Sequence, residues 1–187
     1  MLKRNNAIRM TIGAMLLLMA GSTLWAQTTA SGTINATLIH KNGIALIFDT
    51  DPGGVSLGAA GTAAATANFG TVSAFGPLAA GVTRPSVTAG TFTVRTQFDI
   101  QVIEGGLASV NYTLTASLQG AAPLGFSYAI DAVTLTGAAQ TIQANGAYNV
   151  DVPHNLDLII STASPSGGGP SVGTPASQTI NFTATAN

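Results

Sequence analysis

The arrangement with the most chemical potential in this sequence is Gly54-Val55-Ser56-Leu57-Gly58. Glycines flanking X-Ser-X match the nucleophile elbow, where a strained strand-to-helix turn lifts a serine hydroxyl above a parallel sheet. Asp131 or Asp151 and then His154 follow in the hydrolase order Ser, Asp, His. The surroundings do not supply the rest of that machinery. No apolar stripe of helical period follows the serine, and strands do not alternate with helices. Glycine is also common in the chain, so the spacing arises readily by chance. The expectation is a Gly-flanked turn without a catalytic role.

Two further sets of residues could hold a metal. Asp49 and Asp51 precede Gly53-Gly54, but a helix-loop-helix calcium loop needs a third oxygen ligand and a terminal Glu. An Asx-turn is the expected reading. His40 and His154 are the only histidines and there is no Cys, so no ordinary zinc set can be drawn within one chain. Both histidines are expected at strand ends or turns, His154 because Pro153 before it should end a strand. Three Asn-X-Thr triplets, at Asn35, Asn111 and Asn181, all fall inside predicted strands. No catalytic, cofactor-binding or metal-ligating residue is assigned, and no cofactor is implied.

What could position such residues is a set of β-strands. In residues 91–102 the even positions are mostly apolar and the odd ones polar or charged; residues 110–118 repeat the alternation after Glu104-Gly105-Gly106. Successive side chains of a strand point to opposite faces, so a period of two means one buried face and one wet face. The pair reads as two strands joined by a short turn. Its predicted core is Phe92, Val94, Phe98, Ile100, Val102, Tyr112, Leu114 and Leu118.

Residues 33–39 alternate as well, with Ile34, Ala36 and Leu38 on one face, and Asn42-Gly43 is a hairpin signal. Residues 44–48 are nearly all apolar, the pattern of a strand covered on both faces. Residues 49–54 force a turn. The Ala-rich stretch 59–67 has helix propensity, but Gly and Thr interrupt it and no stripe develops; it reads as a loop entering a strand at 67–72. Residues 75–85 form a Gly/Pro-punctuated connection. Short strands are expected at 126–129, 133–136, 140–143 and 147–152, with Asn145-Gly146 as a turn. Residues 156–161 and 179–186 alternate again, separated by a Gly/Ser/Pro loop at 164–175. Evenly spaced short strands without a helix indicate an all-β fold, an antiparallel sandwich, with an eight-stranded barrel as the alternative.

Composition and the leader set the compartment. Lys3, Arg4 and Arg9 precede the apolar run 12–20 and a small, polar run ending at Ala26, the form of a cleaved signal peptide over residues 1–26. Residues 27–187 then make a single domain, without disulfide support. The apolar run is shorter than the roughly 18–20 residues that span a bilayer, so no membrane span is expected after cleavage. Past Ala26 only Lys41, Arg84 and Arg95 are basic, against seven acidic residues. A nucleic-acid partner would need a basic face, and none is available.

With leader, Cys-free strands and Thr/Ala/Gly surface together, the chain resembles bacterial secreted immunoglobulin-like domains of the fimbrial-subunit or spore-coat-U type. Asn68-Phe69-Gly70-Thr71-Val72, the Thr-alternating strands and the end Thr179-Ile180-Asn181-Phe182-Thr183-Ala184-Thr185-Ala186 carry the resemblance. Chaperone–usher subunits commonly carry a disulfide and an aromatic near the C-terminus; this chain has no Cys and ends Thr185-Ala186-Asn187. The resemblance implies a non-catalytic, exported structural or adhesive surface protein, located in the periplasm, at the cell surface or outside the cell. A secreted carbohydrate-binding module is the alternative, and it would need exposed aromatics from Tyr112, Tyr128 and Tyr148. Residues 33–38 present Ile34, Ala36 and Leu38 at the spacing by which one chain completes the sheet of another, and 179–186 lacks the Lys and Pro that block edge pairing. Pairing of both runs within their own chain is the first expectation, favoured for 33–39 by the Asn42-Gly43 turn; self-association through strand addition is the alternative, and the one partner relation the sequence offers.

Overall fold

The structure, a computed structural model, describes residues 43–161 and 175–187, all within one compact unit, His40–Asn187. The leader 1–26, the run 33–39, His40, Asn42 and most of the Gly/Ser/Pro loop lie outside the described residues. The described chain forms nine strands: β1 (Gly43–Asp49), β2 (Thr83–Thr88), β3 (Thr91–Gly105), β4 (Tyr112–Leu118), β5 (Phe126–Ile130), β6 (Val133–Thr134), β7 (Gln140–Gly146), β8 (Asp151–Ser161) and β9 (Ile180–Ala186). No helix occurs among the described residues.

The strands make two antiparallel sheets. One has the order β1-β3-β8-β5-β6, with β2 also paired to β3; the other is β7-β4-β9. Because neither sheet closes on itself, the architecture is a sandwich and not a barrel. Inward residues of both sheets share one core, and all eight predicted core residues lie in it. Phe182 of β9 meets Phe48 of β1 at 5.2 Å and Phe98 of β3 at 5.9 Å, edge to face, which ties the layers together. Aromatic rings favour this geometry because their positive edges face negative faces.

The central expectation needs one correction. β3 and β4 exist with the predicted faces, but they are not a hairpin: β3 pairs with β1, β2 and β8, and β4 with β7 and β9. The turn at Gly105-Gly106, with Gly106 at φ 74°, carries the chain from one sheet to the other. Periodicity fixes which face of a strand is buried, but it does not specify the neighbouring strand.

Other corrections have local causes. β1 is an edge strand of its sheet, not one covered on both faces. Residues 67–72 form no strand; only the isolated bridge Leu57↔Ala67 touches them. β2 begins within the expected connection 75–85 and runs past it to Thr88, and its Pro85 sits where the register shifts between Thr83 and Ser86, a position that tolerates the missing N–H. Pro153 does not end β8 either. Odd residues of β8 direct backbone groups toward β5, as Ser161 N–H to Gly125 O (2.8 Å) and Asp131 N–H to Asn155 O (3.0 Å) establish. At Pro153 β5 has already ended, so no ladder bond is lost. Asn145-Gly146 is a bulge within β7: Tyr112 pairs with Gly146 but Leu114 with Gln143, and Asn145 takes the extra position at φ 55°. A Cβ at Gly146 would overlap the Tyr112 ring.

Candidate functional site

Ser56 is exposed and makes no hydrogen bond with any described residue, while its neighbours Val55 and Leu57 are buried core residues. The segment fills the gap between β1 and β2 along the edge of β3. Val55 N–H donates to Thr96 Oγ1 (2.9 Å), and Thr96 Oγ1 donates to Gly81 O (3.0 Å). Gly54 lies so close to the Gln97 carbonyl that a Cβ there would collide with it. The glycine is therefore a packing requirement, and Ser56 is the outward residue between two anchors.

His154 and Asp131 do come together. His154 Nδ1 lies 2.6 Å from Asp131 Oδ2, and Asp131 Oδ1 accepts from Asn155 N–H (2.8 Å) and Asn155 Nδ2 (3.3 Å). Asp131-Ala132 is the two-residue turn between β5 and β6, with φ 48° and 68°, the positive pair that twists a tight hairpin correctly. His154 is not at a strand end, as expected from sequence, but in β8 and 3% exposed, its ring 5.9 Å from that of Phe98. Its Nε2 is buried and has no hydrogen-bond partner among the described residues. A relay needs a nucleophile within hydrogen-bond reach of the second imidazole nitrogen. Ser56 does not fill that place, and the pair instead fastens the β5–β6 hairpin to β8. Asp151, the other aspartate considered, pairs with Gln101 across β3 and β8.

The carboxylates converge without forming a metal site. Asp49 stands opposite Asp99, and Asp51 Oδ1 accepts from Gly53 N–H at 2.6 Å, the expected Asx-turn. Burial pushes the Asp99 carboxyl above its ordinary range, and the charges of Asp51, Asp151 and Asp49 push the same way. Among the described residues no group of three or more His, Cys, Asp or Glu is arranged to hold a metal ion. The bidentate ion pair Arg95–Asp157 was not visible in the sequence. Its bonds are 2.6 Å (Nε to Oδ1) and 2.8 Å (Nη2 to Oδ2). The partners are 62 residues apart and meet only through the β3–β8 register.

The tyrosines form no platform. Tyr112 and Tyr128 are buried, which pushes their hydroxyls above the ordinary range. Tyr112 OH donates to Gln143 Oε1 (3.1 Å), and Tyr148 OH to the Asn111 carbonyl (2.9 Å).

Among the described residues, the outer edge of β9 also keeps backbone bonding capacity that no described strand uses. Asn187 N–H donates to Asn111 O (3.1 Å) and Gln119 N–H to Thr179 O (2.9 Å). Both fit the one register of β4 and β9. Backbone groups of an antiparallel strand alternate sides, so odd residues of β9 bond to β4. Ile180, Phe182, Ala184 and Ala186 point theirs outward, where no described strand pairs with them. Their side chains face the core side, with Ile180, Phe182 and Ala184 only half-buried.

Comparison with known proteins adds no identity: no family model, curated protein or solved structure matches this chain.

Proposed function

We propose that this is a non-catalytic structural or adhesive protein of the cell exterior, exported by its leader and assembled through strand addition at β9. The observation that carries the reading is the outward edge of β9: a full strand without a charge, a proline or a bulge in Ile180–Ala186. Exposed edges are usually blunted by such devices because they template pairing with another chain. The other edges of this sandwich have them. β1 ends in Asp49 and is bridged at Phe48 by Thr62; β2 contains Arg84 and Pro85, β6 has two residues, and β7 is bulged. The dispersal of Ser56 and His154 and the buried tyrosines support the same reading over an enzyme or a carbohydrate-binding module.

The test is Ala184→Pro. Residue 184 directs its N–H away from β4, so proline removes an outward donor while the ladder to β4 stays intact. The wild type is expected to form assemblies, seen by light scattering and electron microscopy, and the variant to remain a folded monomer. A wild type that is monomeric at every concentration would sink the proposal.

A further inference from the structure

We infer that the strand which β9 accepts is β9 of a second copy, paired antiparallel about a two-fold axis at Thr183. This rests on the strand-addition reading above and adds the partner and the register. The inward row of β9 runs Ile180, Phe182, Ala184, Ala186, two large side chains followed by two small ones. Reversing the strand about Thr183 sets Phe182 against Ala184 of the second copy, and Ile180 against Ala186. Each large side chain then faces a small one, so the half-exposed Phe182 and Ile180 gain cover without collision. Every outward-directed backbone group belongs to an even residue, and the same reversal pairs even residues with even ones, so the hydrogen bonds are in phase. Shifting the register by one residue would oppose even to odd and put the inward rows on opposite faces.

Charge permits this partner. Neither β9 nor the strands beside it contain an ionisable acid or base apart from Tyr112, which is buried. Along the paired strands a second copy therefore meets no like charge, although the protein as a whole is acidic. On the outer face, Thr183 meets Thr183, and Asn181 meets Thr185. The contact is isologous and closes at two copies. It makes one continuous six-stranded sheet, β7-β4-β9 followed by its mirror order. Donation of residues 33–38 of one copy to β9 of the next is instead heterologous, and it propagates into a filament.

The natural absence of Cys makes the register directly testable. Thr183 and its counterpart form a pair without mutual hydrogen bonds, with Cα atoms about 4.5 Å apart, inside the span a disulfide needs. Thr183→Cys is expected to give a covalent dimer under mild oxidation. Thr185→Cys is expected to give none, because its counterpart lies more than about 10 Å away along the strands. Thr183→Lys should abolish the dimer by opposing like charges at the axis, and mixing it with Thr183→Glu should restore association. Circular dichroism of each variant reports whether the fold is kept; Thr183 and Thr185 are both exposed.

Equal cross-linking of both cysteine variants would overturn the register. If the wild type associates, Ala184→Pro abolishes association and Thr183→Cys does not cross-link, strand addition stands and the β9 pairing is wrong. A monomeric wild type with no cross-link overturns both.

Discussion

The two sheets differ most in where charge sits. Among the described residues, every Asp, Glu and Arg lies on the β1-β3-β8-β5-β6 sheet, on β2 or in their connecting turns; β4, β7 and β9 have none. The larger sheet locks its polar groups internally: Arg95 on Asp157, His154 on Asp131, Thr96 on Val55 and Gly81. The smaller sheet presents Thr113, Thr115, Thr183 and Thr185 outward, and the outer edge of β9 pairs with no described strand. Charge and bulges keep edges from pairing, so the contrast sets the internally locked larger sheet apart from the smaller one, whose β9 edge carries the association proposed above.

The largest effect should come from the shared core, and it tests whether the sheets are one folding unit. Ile100 and Leu114 are fully buried in opposite layers. Ile100→Ala and Leu114→Ala should each cost about 2–5 kcal/mol, with a single transition by fluorescence and circular dichroism in urea. Separate transitions would show that the layers unfold independently. Next comes the larger sheet's own lock. Asp157→Asn removes the charge from a bidentate pair whose acid is buried, and should cost about 1.5–3 kcal/mol with no change in association.

A smaller effect separates the sheets by pH. Asp99 is more readily protonated in the folded state than in the unfolded one. Its contribution to stability is fully present below its ordinary pKa and is lost as pH rises through the higher folded value. Asp99→Asn should remove this decline, so the variant gains on the wild type as pH rises through that interval; melting measured across acidic pH checks it. Association through the charge-free β9 should not change over the same range. Smallest of all is Ser56→Ala. The side chain is exposed and makes no hydrogen bond with a described residue, so its stability change should stay within about 0.5 kcal/mol, and any esterase activity of the wild type should persist. Gly54→Ala, two residues away, should cost about 1–3 kcal/mol because the Gln97 carbonyl must move.

The sequence by itself determined the class of fold and the faces of its main strands. Alternation in β3, β4 and β9 named the inward residues, and all eight of the predicted core set are buried, because a period of two follows from backbone pleating alone. Turn chemistry at Asp51 was equally local. What only the tertiary structure decided was which strands are neighbours. β3 and β4 adjoin in sequence but belong to different sheets, and the Arg95–Asp157 and His154–Asp131 contacts depend on β8 lying between β3 and β5. Pro85 and Pro153 were misleading for the same reason. Whether a proline breaks a strand depends on which side its missing N–H faces and on whether a neighbour is there. Open edges obey that rule too: the sequence showed that β9 carries no guard, and only its pairing with β4 decided which backbone groups face outward.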